Sequence, residues 1–258
     1  MNSPLAWPGG KRNLVKRLLA MLPPHRVYVE PFCGSAKLLF AKEPAPVEVM
    51  SDANGDLINF FLVAKHRPSE LAQRLQTSVA HPAWFARLRA AGPCEDEVSR
   101  AFRFAYLNWF SFGAKGTTFV TSRLHPRKAL RLVRQQLLAV SKRCEQVLIE
   151  CSDYGAIVAR YDSPETLFYC DPPYVSFHPN NRYVPLVGAE LDRFFDVLAG
   201  IKGKFLMSEQ DCAEVRQRAD ARQFLRRRID TEYSLNIHSS HRAKRELLIA
   251  NFKLGGKA

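Results

Sequence analysis

The sequence predicts an α/β fold built on a mixed sheet and interrupted by a helical insertion. Short apolar, β-prone runs recur along the chain and end at an acid, at Glu30, Asp52, Asp153 and Asp171. Apolar residues at helical spacing follow these runs, giving the strand, turn and helix rhythm of a nucleotide-binding sheet. From about residue 66 to residue 144 that rhythm stops and helical patterns dominate.

Composition narrows the class. With 258 residues the chain can bury a full core, as one large domain or as one domain carrying an insertion. Its 38 Lys and Arg against 25 Asp and Glu leave a formal charge of +13. That excess favours a polyanionic partner through phosphate neutralisation and counterion release, and says nothing of sequence preference. Cys33, Cys94, Cys144, Cys151, Cys170 and Cys212 form no C-x-x-C pair and lie near no His array of zinc spacing, so no metal is expected. The start lacks a signal-peptide core and no apolar stretch reaches membrane-spanning length, so a reducing cytoplasm is the expected setting, with no membrane partner.

In chain order, Trp7-Pro8-Gly9-Gly10-Lys11 precedes Leu14, Val15, Leu18, Leu19 and Leu22 at helical spacing, and Pro23-Pro24 stops that helix. A Gly-Gly turn feeding a helix presents backbone amides, and Lys11 adds a cation suited to a carboxylate or phosphate; a flexible start reads equally well. Val27 to Ala36 is a β-rich run that breaks into small residues, and an apolar helix through Leu38, Leu39 and Phe40 follows. It is the first unit of a nucleotide-binding fold but not the dinucleotide fingerprint, because G-x-G-x-x-G is absent. A second strand, Val47 to Ser51, ends at Asp52-Ala53-Asn54. An acid roughly 20 residues after the first turn can accept from both hydroxyls of a ribose. It can equally cap the next helix, as Asn54 can.

Within the insertion, apolar spacing marks helices around Leu71 to Val79, Trp84 to Leu88, Val98 to Tyr106 and Leu130 to Val140. Asn108 to Phe119 instead mixes Gly, Thr and Lys115 with aromatic rings, as a loop that stacks on a flipped base or crosses a phosphate backbone would. Arg123, Arg127, Lys128, Arg131 and Arg134 follow it, as a DNA-facing or a merely solvated face. A third strand, Gln146 to Cys151, leads to Asp153, which also suits the N-cap of the next helix.

The fourth strand is the stretch with the most chemistry. Phe168-Tyr169-Cys170 ends in Asp171-Pro172-Pro173-Tyr174, and a doubled Pro cannot continue a ladder, so Asp171 and Tyr174 stand at the carboxyl edge where open α/β sheets bind ligands. The prolines fix φ and leave carbonyls to accept, Asp171 adds a carboxylate, and Tyr174 adds a flat face. Two acceptors and a ring make a clamp for a planar amine such as that of adenine; the plainer alternative is a strand followed by a turn, with Asp171 as a solvated cap. Beyond it, Val175 to Pro185 is a polar, aromatic segment containing Arg182, read as a lid or a DNA-contacting loop. A helix through Leu191 to Leu198, a strand from Lys204 to Ser208, and a dense basic cluster from Arg216 to Arg228 come next. Strands near Phe224 to Tyr233 and Glu246 to Phe252 are joined by a polar connection that holds His241 and Arg242.

Asp171-Pro172-Pro173-Tyr174 resembles the signature of the Dam-type, S-adenosylmethionine-dependent DNA adenine (N6) methyltransferases, and earlier motifs fit in order. Trp7, Gly9, Gly10 and Lys11 match the family's first cofactor motif, and Glu30, Phe32 and Gly34 match its strand-one motif, with Ser35 and Ala36 where glycines are common. The resemblance implies a Rossmann-like class I methyltransferase sheet ending in an antiparallel hairpin. It implies a catalytic domain over 1–65 and 145–258 and a helical target-recognition insertion over 66–144. S-adenosyl-L-methionine would be held by Trp7 to Lys11, by Glu30 and the loop Phe32, Cys33, Gly34 and Ser35, by Asp52 at the ribose, by Asp153 at the adenine, and beside Asp171. Lys115, Arg123, Arg127, Arg182, His241 and Arg242 would contact DNA. Asn108, Phe112 and Gly113 loosely match a further family segment, but Trp109 stands in place of its basic residue.

The expected activity is methyl transfer to the N6 amino group of an adenine flipped from DNA, site-specific or relaxed, by a monomer with or without a cognate restriction endonuclease. The alternatives are an RNA adenine or protein amide methyltransferase, or a non-catalytic DNA-binding protein on the same fold.

Overall fold

The computed structural model describes residues 1, 3–7, 14–120, 126–176, 184–231 and 244–255, and for 126–132, 231 and 244 their backbone. The chain runs α1 (Val15–Leu19), β1 (Val27–Glu30), α2 (Lys37–Ala41), β2 (Val47–Asp52) and α3 (Gly55–His66). Four helices interrupt the alternation: α4 (Pro68–Gln76), α5 (Pro82–Ala90), α6 (Glu97–Trp109) and α7 (Pro126–Arg143). It resumes with β3 (Val147–Cys151), α8 (Tyr154–Tyr161), β4 (Thr166–Cys170), α9 (Ala189–Ala199), β5 (Lys204–Gln210), α10 (Ala213–Ala221), β6 (Leu225–Thr231) and β7 (Lys244–Ala250). Local signals set many starts. Asn54 Oδ1 accepts from the N–H groups of Asp56 and Leu57 to open α3, and Asp96 accepts from Ser99 N–H to open α6. Proline occupies the first turn of α4 and α5, where its missing N–H costs nothing.

The seven strands form one mixed sheet in the order β3-β2-β1-β4-β5-β7-β6. Strands β1 to β5 are parallel, while β7 lies antiparallel to both β5 and β6. Side chains alternate across the pleat, so each strand feeds two cores. Tyr28, Met50, Leu167, Tyr169 and Leu206 point to one face, where α1 to α4, α6 and α7 pack. Val29, Val49, Phe168, Cys170, Phe205 and Met207 point to the other, under α8, α9 and α10. Central β4 is buried along its whole length, which is why it reads as an unbroken apolar run. A smaller cluster of Phe85, Tyr106, Leu107 and Phe110 joins α5 to α6. Among the described residues no helix is long and apolar enough to cross a membrane.

Several boundaries differ from the sequence pattern, among them α4, which ends at Gln76 rather than Val79, and β7, which spans Lys244–Ala250 rather than Glu246 to Phe252. Helix α1 stops at Leu19, because Met21 N–H bonds back to Leu18 and Leu22 N–H to Leu19 in tightened turns that keep the later apolar residues on the core. Strand β5 continues past Ser208 to Gln210, since β7 pairs with it as far as Glu246.

Buried charge ties β2 to α7. Glu48 of β2 accepts from Lys42 Nζ at 2.6 Å and from Arg143 of α7 at 2.5 and 3.0 Å, and Arg143 also donates to Leu39 O at 2.7 Å. Burial raises the Glu48 carboxyl, but bonds from Arg143 and Lys42 outweigh it and hold Glu48 below the usual carboxylate range. Replacing Arg143 by Met is expected to destabilise the fold by about 1.5–3 kcal/mol, the range for losing bonds to a buried charge. Denaturant unfolding at neutral pH checks this, and an unchanged midpoint would mean that Lys42 alone satisfies Glu48.

Candidate active site

Strand order reverses between β1 and β4, whose following segments leave to opposite faces and open a crevice at their carboxyl ends. A cavity of about 860 Å³ occupies it. Trp7, Glu30, Phe32, Cys33, Gly34, Ser35, Asp52, Asp153 and Asp171 to Tyr174 all line it, so residues scattered over the sequence meet in one space. Gly9, Gly10 and Lys11 lie outside the described residues.

The loop after β1 forms one wall. Cys33 N–H donates to Ser51 O at 2.8 Å, tying the loop to the end of β2. Gly34 takes φ +47°, and a Cβ there would lie 2.5 Å from Trp7 Nε1, so the indole seats directly on the bare backbone. Ala36 also sits in the left-handed region, at φ 49°. An alanine there carries about 1–2 kcal/mol of strain that glycine would not. Asp52 closes this wall: its carboxylate accepts from Gly34 N–H at 3.1 Å and Asn54 N–H at 3.0 Å. Burial raises its pKa, opposed by those two bonds. Asp153 caps α8 through Gly155 N–H at 2.9 Å and pairs with Arg193 at 3.2 Å while lining the cavity, so its capping and ligand readings are compatible.

The second wall belongs to β4 and its neighbour. Asp171 lies just past the strand end, and its Oδ1 accepts from Ser208 Oγ of β5 at 3.0 Å. Val184 and Val187 stand exposed on the rim, with Pro185 and Leu186 between them also lining the space. Beside a Glu30 that burial keeps protonated, the walls carry Asp52, Asp56, Asp153, Asp171 and Glu190 against the cations Lys37 and Arg100, with Arg100 of α6 paired to Asp56 at 2.6 Å. In a chain of net charge +13 this is an acidic cavity, suited to a cationic ligand and hostile to a polyphosphate. Arg100, Lys37, Ser208, Leu186 and Val187 escaped the sequence reading, because only tertiary packing brings them here, whereas Val184 and Pro185 belong to the segment read as a lid or DNA-contacting loop.

The basic residues divide by structure. Arg216 and Arg228 share Asp211, Arg218 pairs with Asp192, Arg222 with Asp196 and Arg226 with Asp220, while Arg227 donates to Leu254 O. The densest basic run is therefore largely scaffold. Lys115 is different: it is exposed on a turn bearing Phe112, which is 50 % exposed. Phe112 N–H to Thr118 O at 2.9 Å and Arg89 to Thr117 O at 2.6 Å brace that turn. Asn108 Nδ2 and Trp109 Nε1 donate to Ala6 O and Pro4 O, which explains a tryptophan in place of a basic side chain: it anchors the segment leading to Trp7. Arg123, Arg182, His241 and Arg242 and the side chain of Arg127 lie outside the described residues.

Burial perturbs Glu30 strongly. Burial, opposed by bonds from Tyr28 Oη and Leu39 N–H, both 2.8 Å long, raises it to about 8, and Asp171 and Glu48 add repulsion. Below the ordinary carboxylate range both folded and unfolded chains hold this proton, and between there and about 8 the folded chain alone does. Stability from this group thus falls as pH rises through that window, by at most about 1.4 kcal/mol per unit. Denaturant unfolding at about pH 5.5 and 7.5 is expected to show a steeper loss for the wild type than for Glu30→Gln. Equal slopes would mean that Glu30 ionises in its ordinary range.

Comparison with known proteins agrees with this geometry. A DNA adenine methylase of Vibrio cholerae is 26% identical over 201 residues, covering 71% of this chain and 69% of that protein. One from Escherichia coli (strain K12) is 26% identical over 182 residues, 66% of this chain and 64% of that one. A DNA adenine methylase of Haemophilus influenzae is 23% identical over 273 aligned positions, spanning 96% of this chain and 92% of that protein. The family pattern of the D12 class N6 adenine-specific DNA methyltransferases matches residues 7–226, from the indole seated on Gly34 to the start of β6. Covering most of the chain, that match places the protein in the D12 class N6 adenine-specific DNA methyltransferase family.

Proposed function

We propose that the protein transfers a methyl group from S-adenosyl-L-methionine to the N6 amino group of an adenine extruded from DNA, in the cytoplasm. The observation that carries this reading is the meeting of Asp171 to Tyr174 with an acid-lined cavity at the β1/β4 crevice. The cavity fits the cofactor by chemistry. Its acids suit a ligand with cationic sulfonium and ammonium groups, Asp52 suits two ribose hydroxyls, and Phe32 with Trp7 supplies apolar faces. Bound there, S-adenosylmethionine supplies an electrophilic methyl carbon.

The chain's own residues prepare the acceptor. The amino nitrogen of adenine is a weak nucleophile, because its lone pair is spread into the ring. The Asp171 carboxylate and the Pro172 carbonyl accept its two N–H bonds, which favours a pyramidal nitrogen with its lone pair turned outward. Asp171 also stabilises the positive charge that grows on the nitrogen during attack, and the methylated nitrogen returns to neutrality by releasing one of its two protons to solvent, with S-adenosylhomocysteine as the leaving group. Tyr174 stacks on the base. An adenine inside a duplex cannot reach these groups, which is why extrusion is part of the proposal.

We read the helices between residues 66 and 144 as the part that reads DNA, with Phe112 and Lys115 on their braced turn at the contact, and Arg123, Arg127, Arg182, His241 and Arg242 on the phosphates. Purified protein offered labelled cofactor with DNA, RNA and protein acceptors is expected to label adenine N6 in DNA. Label confined to RNA or protein would overturn the reading. Asp171→Ala is expected to abolish transfer while cofactor affinity changes less than about threefold, because its role is on the acceptor side. Asp52→Ala is expected to weaken cofactor binding by roughly 100-fold or more, the scale of two lost hydrogen bonds to a charged group, as read by calorimetry. Unchanged affinity would remove Asp52 from the site.

A further inference from the structure

We infer that Ser208 is a positioning residue for Asp171, fixing the carboxylate in the orientation that accepts from the target amino group. The inference rests on the proposed acceptor role of Asp171. The β4/β5 register ends at Cys170 opposite Met207, so Asp171 stands one residue beyond that ladder. The terminal torsion of an aspartate is broad and poorly self-determined. Strand parity puts Tyr169, Asp171 and Ser208 on one face, and Ser208 Oγ donates to Asp171 Oδ1 at 3.0 Å. Tyr169 Oη lies 3.2 Å from the same Ser208 oxygen. A hydroxyl has one proton, and that of Ser208 goes to the carboxylate, so Tyr169 donates to Ser208 and aligns it.

Burial gives the arrangement its meaning. Ser208 has no exposed surface and follows Phe205, Leu206 and Met207, all fully buried. A hydroxyl in such a strand is costly unless bonded, and an apolar side chain would serve the core better. Its bonds run to the carboxylate on one side and to a core tyrosine on the other, so the relay leads inward and holds Asp171 rather than draining a proton. A carboxylate offers about four acceptor positions, so a bond from Ser208 sets its plane without by itself occupying the group.

The test is a cycle of Ser208→Ala, Tyr169→Phe and the double variant, with cofactor and DNA affinities measured beside turnover. Ser208→Ala is expected to lower kcat by roughly 10- to 100-fold, the scale of one bond to a charged acceptor, with both affinities within about twofold of wild type. Tyr169→Phe is expected to lose less, and the double variant no more than Ser208→Ala, because tyrosine acts through the serine. Ser208→Thr, which keeps the hydroxyl, is expected to restore most of the rate. Wild-type kcat in Ser208→Ala, or additive losses in the double variant, would overturn the positioning role while methylation by the wild type leaves the functional reading standing. A crystal structure of Ser208→Ala gives a readout independent of turnover: the Asp171 carboxylate is expected to rotate or spread over orientations, and an unmoved carboxylate would also overturn the inference.

Discussion

The site depends on one pairing, that of β1 with β4. These parallel neighbours are far apart in sequence, and their register sets Val27 beside Thr166 and Val29 beside Phe168. Because the chain leaves β1 toward one face and β4 toward the other, the gap between their ends opens as a crevice. Glu30 and Asp171 finish these strands, which forces two carboxylates toward a common space. The fold tolerates this by burying Glu30 against Tyr28 and Leu39, where its raised pKa relieves the repulsion, and by securing Asp171 through Ser208. Acceptor chemistry and scaffold energetics are thus set by the same strand ends.

Charge is divided in the same economical way. Arginines of α10 and β6 are matched to aspartates of α9, α10 and the β5–α10 turn, so they hold the layer under the sheet. The cavity collects acids, and an exposed turn in the helical segment displays Lys115 beside Phe112. One chain therefore combines an acid-lined cavity with basic residues on its outer surface. Trp109 and Asn108 connect the two regions physically, since they hold the segment that seats Trp7 on Gly34.

Much of this was legible in the sequence because the signals are local. A β-prone run ending at an acid marks a strand end, and Glu30, Asp52, Asp153 and Asp171 all reach the same cavity. The antiparallel ending and the helical interruption also follow from pattern and resemblance. What could not be read is set by tertiary register. Ser208 looks like any strand serine until β5 lies beside β4, and Arg100 joins the cavity only because α6 packs on α3. The basic run from Arg216 to Arg228 misleads for the same reason, since its aspartate partners are up to 26 residues away in sequence. Element ends shift where a neighbour decides them, as β7 does when it extends β5 to Gln210.

The central claim is that cofactor and target base occupy one crevice from opposite sides, with Asp171 between the scaffold and the acceptor nitrogen. A crystal structure with S-adenosylhomocysteine and a duplex carrying the target adenine measures this directly. The cofactor is expected against Asp52 and the β1 loop, and an extruded adenine stacked on Tyr174 with its amino group on Asp171 and the Pro172 carbonyl. An adenine still stacked in the duplex, or a cofactor bound away from the β1/β4 crevice, would contradict it.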